Sequence, residues 1–288
     1  MTTYKTDVLN EADLGGALRL SMEAGWNQTC EDWRRLLDLS PQGCLGVRVE
    51  GSLVATASVM VYGGDLAWVG MVLVDESFRG RGLGKLVFLS ALKRAHVMGA
   101  RIIGLDATEM GRPMYLKEGF RDVGLIERWT GRLAVTEPFP RCEGTVSSLT
   151  GDELESVLLL DRQACGCDRS QLLRRLFAEP EVRAWIWRKA DDESPQGFAF
   201  VRPGREFKHL GPVVATGKAG FDGLLHHIGR TLPGTPVLAD VLHGQELGSS
   251  LKPLGMNVQR QLIRKAQPWR PDLLAGPQVW LGAGFEWG

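Results

Sequence analysis

The stretch Arg79-Gly80-Arg81-Gly82-Leu83-Gly84-Lys85 constrains this chain more than any other. It follows residues 69–74, an almost wholly apolar run that suits a strand buried on both faces. It precedes residues 86–97, which read as a helix. A strand ending, and a helix starting, at a glycine-rich turn bring backbone N–H groups together at the positive end of the helix macrodipole. Alternate glycines let the chain approach an anion closely. Arg79, Arg81 and Lys85 add charge for phosphate oxygens. Two common phosphate motifs are excluded by spacing. A dinucleotide fingerprint needs G-x-G-x-x-G, and this is G-x-G-x-G. A Walker loop needs Ser or Thr after its Lys, and Lys85 is followed by Leu86.

The flanking pattern is that of an α/β layer. Residues 10–40 read as two helices joined by the loop Gly25-Trp26-Asn27-Gln28. Asn10 or Asp13 can cap the first, and Thr29 with Asp32 resembles a capping box ahead of Trp33, Leu36 and Leu37. Runs 45–49 and 53–61 flank Glu50-Gly51-Ser52, a hairpin signal, and 66–74 follows the turn Gly63-Gly64-Asp65. The helix at 86–97 is apolar on more than one face, so it is expected between layers, and Gly99 ends it. Strand 101–107, a short helix 110–118 closed by Gly119-Phe120, and strand 123–133 complete the unit. Strand, turn, helix, strand is a right-handed crossover.

Residues 136–144 hold two prolines and no period, and mark a linker. Beyond it the order of elements repeats. Helices are expected at 154–162 and 170–177, strands at 183–188, 197–202 and 207–215. A helix at 221–231, a strand at 236–241 and a helix at 246–254 follow, with final strands at 258–264 and 279–287. The order from Gly197 to Met256 tracks that from Leu53 to Phe120, which points to an internal duplication.

Arg79, Gly82 and Gly84 form Arg-x-x-Gly-x-Gly, and Tyr115-Leu116-Lys117-Glu118-Gly119-Phe120 forms Tyr-x-x-x-Gly-Phe, with one helix and one strand between them. Together they resemble the signature of the GNAT (GCN5-related N-acetyltransferase) superfamily. Leu105-Asp106-Ala107-Thr108 and Gly25-Trp26-Asn27 are similar to its bacterial two-domain members. The resemblance implies an α/β (α+β) fold with a mixed central sheet flanked by helices. It implies a GNAT acetyltransferase domain at 1–137 and a divergent GNAT-like domain at 138–288. One departure is Thr108, where many members carry Asn seven residues before the Tyr.

The implied activity is acetyl-CoA-dependent N-acetylation of a primary amine, on a small molecule or a peptide, by direct attack in a ternary complex. By the resemblance, Arg79, Gly80, Arg81, Gly82, Gly84 and Lys85 cradle the pyrophosphate of acetyl-CoA. Backbone N–H groups at Val72 and Val74 serve the thioester carbonyl and the pantetheine arm, as fixed donors that need no reorganisation. Tyr115 occupies the general-acid position; a phenol near pKa 10 can protonate a thiolate leaving group near 8.5. Trp26 and Asn27 border the acceptor. The base stays open among Glu23, Glu76 and Asp106, and no role is assigned to them. A second class of function, a non-catalytic acyl-CoA-binding or sensor protein, is kept open by Thr108 and by the unassigned base. Aligning Gly255-Met256 with Gly119-Phe120 puts Leu251 opposite Tyr115, and Ala215-Thr216-Gly217-Lys218-Ala219-Gly220 lacks the spacing of the first turn. The second domain is therefore expected to have lost cofactor chemistry and to help shape the acceptor cleft.

Composition removes other classes. The chain carries 34 basic and 34 acidic residues. The first 137 residues hold 16 Lys+Arg and 17 Asp+Glu, the rest 18 and 17, so neither part has the surplus expected of a nucleic-acid binder. No apolar run approaches the ~18 residues of a membrane span, and the first residues lack a signal-peptide core. Five cysteines, an odd and sparse number, fit a reducing compartment, and a cytoplasmic protein is expected. Cys165-Gly166-Cys167 has no second pair or nearby His to complete a zinc set, and the adjacent His226 and His227 point to different helix faces, so no metal is expected.

Overall fold

Strand formation in the first half follows the alternation of its side chains between two faces. The computed structural model describes residues 4–134, 144–190, 192, 194–242, 247–271, 273, 274 and 276–288. Nearly all of the linker at 136–144, and the start of the helix expected at 246, lie outside these residues. The first half runs β1 (Thr6–Val8), α1 (Leu14–Glu23), α2 (Cys30–Leu39), β2 (Leu45–Val49), β3 (Ser52–Tyr62), β4 (Leu66–Val74), α3 (Leu83–Val97), β5 (Ile102–Ala107), α4 (Arg112–Lys117) and β6 (Arg121–Arg132). The second runs β7 (Thr145–Ser148), α5 (Leu154–Cys165), α6 (Ser170–Phe177), β8 (Arg183–Arg188), β9 (Gly197–Arg202), β10 (Lys208–Ala215), α7 (Lys218–Thr231), β11 (Pro236–Val241), α8 (Gly248–Leu251), β12 (Met256–Gln267) and β13 (Val279–Leu281).

The expected capping box closes as drawn: Asp32 N donates to Thr29 Oγ1 at 3.2 Å, and Thr29 N to Asp32 Oδ2 at 2.8 Å. Two expectations are corrected. The helix α3 starts at Leu83, inside the glycine turn, and buries one face only, through Leu83, Val87, Phe88, Ala91 and Ala95. It lies on one side of a single sheet, so its outer face, with Val97, meets solvent. The strand expected at 279–287 is regular only over Val279–Leu281, because the chain turns at Gly284 (φ 126°).

The thirteen strands of the described residues form one mixed sheet in the order β1-β2-β3-β4-β5-β12-β6-β11-β13-β10-β9-β8-β7. The order carries a reciprocal exchange. Strand β12, from the second half, lies between β5 and β6 of the first, pairing Ile263 with Ala107 and Leu262 with Ile126. Strand β6 in turn pairs with β11, Ala239 opposite Trp129. Each half completes its sheet with the other's last long strand. Parallel pairing joins β4 to β5 and β10 to β11, the two crossovers that carry α3 and α7.

The two faces follow the pleat. Met60, Tyr62, Leu66 and Trp68 share one core cluster with α1, α2, α5, α6, Phe198 and Phe200. Ala57, Val59, Ala67 and Val69 pack with α3, while Ala199, Val201 and Val213 pack with α7. A buried ionic chain ties the halves on the first face. Arg35 donates to Asp32 at 2.7 Å and to both oxygens of Glu179 at 2.8 and 2.6 Å. Arg202 reaches Asp32 at 3.3 Å and Glu286 at 2.7 Å. Burial alone would raise the pKa of Asp32, but Arg202 and Arg35 outweigh it and hold the carboxyl below its ordinary value.

Candidate active site

Strand β4 is irregular where the sequence is most apolar. Its register against β3 shifts between the pairs Thr56↔Leu73 and Ser58↔Gly70, and Met71 takes φ 50°. This is a β-bulge, which bends a strand and re-aims its groups. Thr56 Oγ1 donates to Met71 O at 2.8 Å and holds the bent segment. Strands β4 and β5 pair only over Leu66↔Ile102 to Trp68↔Gly104 and then diverge. Successive N–H groups point to opposite edges of a strand. Asp75 N donates to Val54 O on the β3 side, so the N–H groups of Val74 and, one pleat back, Val72 face the open β5 side.

Past Asp75 the chain enters the glycine turn. Gly80 (φ 75°) and Gly82 (φ 80°) hold left-handed conformations that favour glycine, and a Cβ at either would meet nothing within 4 Å. Gly82 is the N-cap of α3 with no side-chain cap, so the first N–H groups of that helix are unclaimed by a capping side chain. Among the described residues Arg79 and Lys85 make only long pairs, with Glu76 at 3.3 Å and Glu118 at 3.5 Å. Arg81 bonds Ser77 O at 3.1 Å and lies over Phe78. The three cations flank an uncapped helix start on the surface, and that donor set fits a pyrophosphate.

The wedge between β4 and β5 opens into a cavity lined by Val69, Gly70, Met71 and Val72 on one side and Asp106, Thr108 and Tyr115 on another. Tyr115 is buried, edge-on to Phe88 at 4.8 Å, and its hydroxyl makes no hydrogen bond among the described residues. Burial pushes its phenol up to about 12, so it keeps its proton at neutral pH. Trp26 is on the wall. Asn27 turns instead to the second half: it accepts from Glu206 N and Phe207 N at 2.9 and 3.0 Å and donates to Phe207 O at 2.8 Å. Gln28, the next residue of the loop, joins Trp26 on the cavity wall. Of the open base candidates, Glu23 pairs with Arg19 on the surface and Glu76 is exposed near Arg79. Asp106 is on the wall, fully buried; burial raises its pKa, and two bonds from Arg264 at 2.9 and 3.1 Å oppose the rise.

The rest of the wall comes from places sequence reading did not reach: Arg128 on β6, Arg260 and Leu262 on β12, and Phe285 and Glu286 on the C-terminal segment. That segment serves both halves. Its strand β13 inserts between β10 and β11, pairing Val213 with Leu281 and Val241 with Leu281. In the second half it thus fills the wedge that stays open in the first. It then crosses to β4, where Trp68 Nε1 donates to Phe285 O at 2.9 Å and Tyr62 Oη to Trp287 O at 2.8 Å. Leu251, opposite Tyr115 in the repeat, is fully buried in the α7 core. At the start of α7, Lys218 Nζ bonds Asp222 at 2.6 Å and Ser250 at 2.7 Å, so the turn's single cation is already engaged. Cys165 is buried beside Asp161, and burial pushes the Cys167 thiol up to about 12.

A family model described as acetyltransferase (GNAT) family matches residues 17–120, and one described as acetyltransferase (GNAT) domain matches residues 157–266. The chain belongs to the GNAT acetyltransferases. The second GNAT match runs from α5 to the end of β12 and so includes the strand given to the first half. The uncharacterized N-acetyltransferase YitH of Bacillus subtilis (strain 168) is 27% identical over 171 residues, 59% of this chain and 59% of its own length. Holothin acyltransferase of Pseudoalteromonas sp. (strain SANK 73390) is 25% identical over 217 residues, 75% of this chain and 71% of that one. The crystal structure of a putative acetyltransferase from Pyrococcus horikoshii matches 100% of this chain and 97% of its own, with a TM-score of 0.79 at 19% identity, a likeness of fold.

Proposed function

We propose that this GNAT chain transfers an acetyl group from acetyl-CoA to a primary amine of a small molecule or peptide, using one cofactor site, in the first half. The observation that carries the reading is the open wedge between β4 and β5, continuous along β4 with the uncapped glycine turn. When bound, the cofactor supplies an acyl group activated as a thioester. The turn at Gly80 to Lys85, with Arg79 and Arg81, binds its pyrophosphate. Val72 and Val74 offer fixed backbone N–H donors to the carbonyl oxygen and the pantetheine arm. Tyr115 keeps a proton on Oη for the departing thiolate. Trp26 walls the acceptor side, while Asn27 positions the loop beneath it by clasping residues 206 and 207. A boundary at residue 137, in the connection between β6 and β7, and a cytoplasmic location belong to the same proposal.

The non-catalytic sensor reading is less favoured, since Tyr115 lines the cavity and its hydroxyl has no competing partner among the described residues. Titration calorimetry should give one acetyl-CoA per chain, and thiol release should appear with an amine acceptor. A stoichiometry of two would show that the β13-filled wedge binds cofactor after all. Tight CoA binding without thiol release across polyamines, amino acids, aminoglycosides and peptides would favour the sensor.

A further inference from the structure

The carboxylates in and behind the cavity wall are each already held by an arginine other than Arg260. Asp106 is held by Arg264, Asp240 by Arg128 through two bonds of 2.7 Å, and Glu286 by Arg202. The second guanidinium on the wall beside Arg128, that of Arg260, makes no hydrogen bond or ion pair among the described residues, and its Nε is buried without a partner. Its Cα lies directly across the β6–β12 ladder from that of Arg128. Like charges opposed across strands repel. Arg128 lies 3.9 Å and Arg260 5.6 Å from the ring centre of Phe285, so the two share one aromatic side chain. Burial, and then the field of Arg128, pushes Arg260 down to about 10 against the attraction of Asp240, which leaves it charged at neutral pH.

The placement of Arg260 is built into the strand. The register of β12 against β6 shifts between Val258 and Arg260, leaving Gln259 as an extra residue. A change of one residue moves a side chain to the other face of a sheet, so the bulge decides that Arg260 meets the cavity. On the same wall Gln28 donates to Glu286 at 3.0 Å, while its Oε1 is a buried acceptor with no partner. The wall therefore offers a guanidinium with no hydrogen-bonded partner among the described residues, and an unused acceptor, to one small molecule.

We infer that the acyl acceptor is an amine bearing an anionic group, a carboxylate or a phosphate, which Arg260 holds while Gln28 Oε1 accepts from the amine. The inference rests on the acyl-transfer reading above. Arg260 belongs by sequence to the second half, so acceptor choice is supplied to the first half's chemistry by the exchanged strand.

The test uses acceptor pairs that differ only in the acid: an α-amino acid and its amide, an amino sugar phosphate and the free amino sugar. Each is titrated by calorimetry into the CoA complex of the wild type, Arg260→Gln and Arg260→Lys, and assayed for thiol release from acetyl-CoA. The wild type should favour the acidic member of one pair by at least about tenfold, as expected for a hydrogen-bonded charge. Arg260→Gln should lose about tenfold or more on that member and less than about threefold on the neutral one, while Arg260→Lys keeps part of the preference. The pair that responds separates carboxylate from phosphate. Indifference of the wild type in both pairs, or an equal effect of Arg260→Gln on both members, overturns the inference. Acetyl-CoA affinity is read in the same samples. Tight cofactor binding with indifferent acceptors sinks the anion site alone, whereas failure to bind CoA sinks the acyl-transfer reading.

Discussion

Replacing Gly82 by Asn and by Asp separates charge from shape at the proposed pyrophosphate site. Gly82 sits at φ 80° and ψ 2°, and an added Cβ meets nothing within 4 Å. The steric cost is therefore torsional, roughly 1–2 kcal/mol for an ordinary L-residue and less for Asn or Asp. The two variants share that strain and differ by one negative charge. Two like charges about 5 Å apart at an effective dielectric of about 20 repel by ~3 kcal/mol. The turn is exposed, so screening trims the sum over the phosphates, and about 3 kcal/mol, ~10²-fold in affinity, is expected between Asp and Asn. The helix macrodipole attracts the new carboxylate by ~0.5 kcal/mol, so the Asp variant should be no less stable. Calorimetry with CoA, beside thermal unfolding, reads both quantities. The gap should narrow as salt rises from 0.1 M, where the Debye length is about 10 Å, to 1 M, where it is about 3 Å. Equal CoA affinity in two folded variants would refute the placement of pyrophosphate at this turn.

Three further outcomes follow from particular contacts. Tyr115→Phe should lower kcat by about 10²–10⁴ with CoA affinity unchanged; since burial pushes the phenol up to about 12, its ionisation should cause no loss of rate up to pH 10, and an alkaline limb that vanishes in the Phe variant would contradict this. His209 is buried and neutral, its pKa driven well below 6.5 by burial and then by Arg202 and Arg128. The unfolded chain binds a proton that the folded one refuses, so stability is lost as pH falls through about 6.5, by about 2 kcal/mol between pH 7.5 and 5. Denaturant titrations of His209→Gln should show that much less acid loss, and an unchanged acid slope counts against it. Glu179→Ala leaves the buried Arg35 with Asp32 alone and should cost about 3–5 kcal/mol in chemical denaturation; a loss under about 1 kcal/mol would mean that the inter-half ionic chain is not a structural tie.

Local order was legible because local chemistry fixes it. The Thr29–Asp32 box, the glycine turn and the apolar run of β4 each act over a few residues, and each leaves a pattern in the sequence. The short edge strands β1 and β7 escaped notice: they are three and four residues long, the first half-buried and the second mostly exposed, with little apolar alternation. The bulge at Met71 was illegible because β4 is apolar throughout, so a register shift leaves no trace in polarity. Five of the fourteen residues lining the cavity were hidden for a topological reason. Arg128 and Arg260 read as ordinary polar positions on final strands, and only the exchange of β6 and β12 brings them beside Tyr115. Phe285 and Glu286 fall in a segment read as a strand, whereas the turn at Gly284 sends them across to β4.

The strand exchange has a consequence for synthesis on the ribosome. When β6 has left the exit tunnel, neither of its partners exists yet. Strand β11 starts more than a hundred residues later and β12 later still. At about 5–20 residues per second the gap is on the order of ten seconds. Throughout it, the nascent first half shows two unpaired edges, β5 and β6, with Ile103, Leu105 and Ile126 among their side chains. Such edges invite pairing with other chains. Birth of this protein is thus a waiting problem, in which the first half emerges first and is closed last.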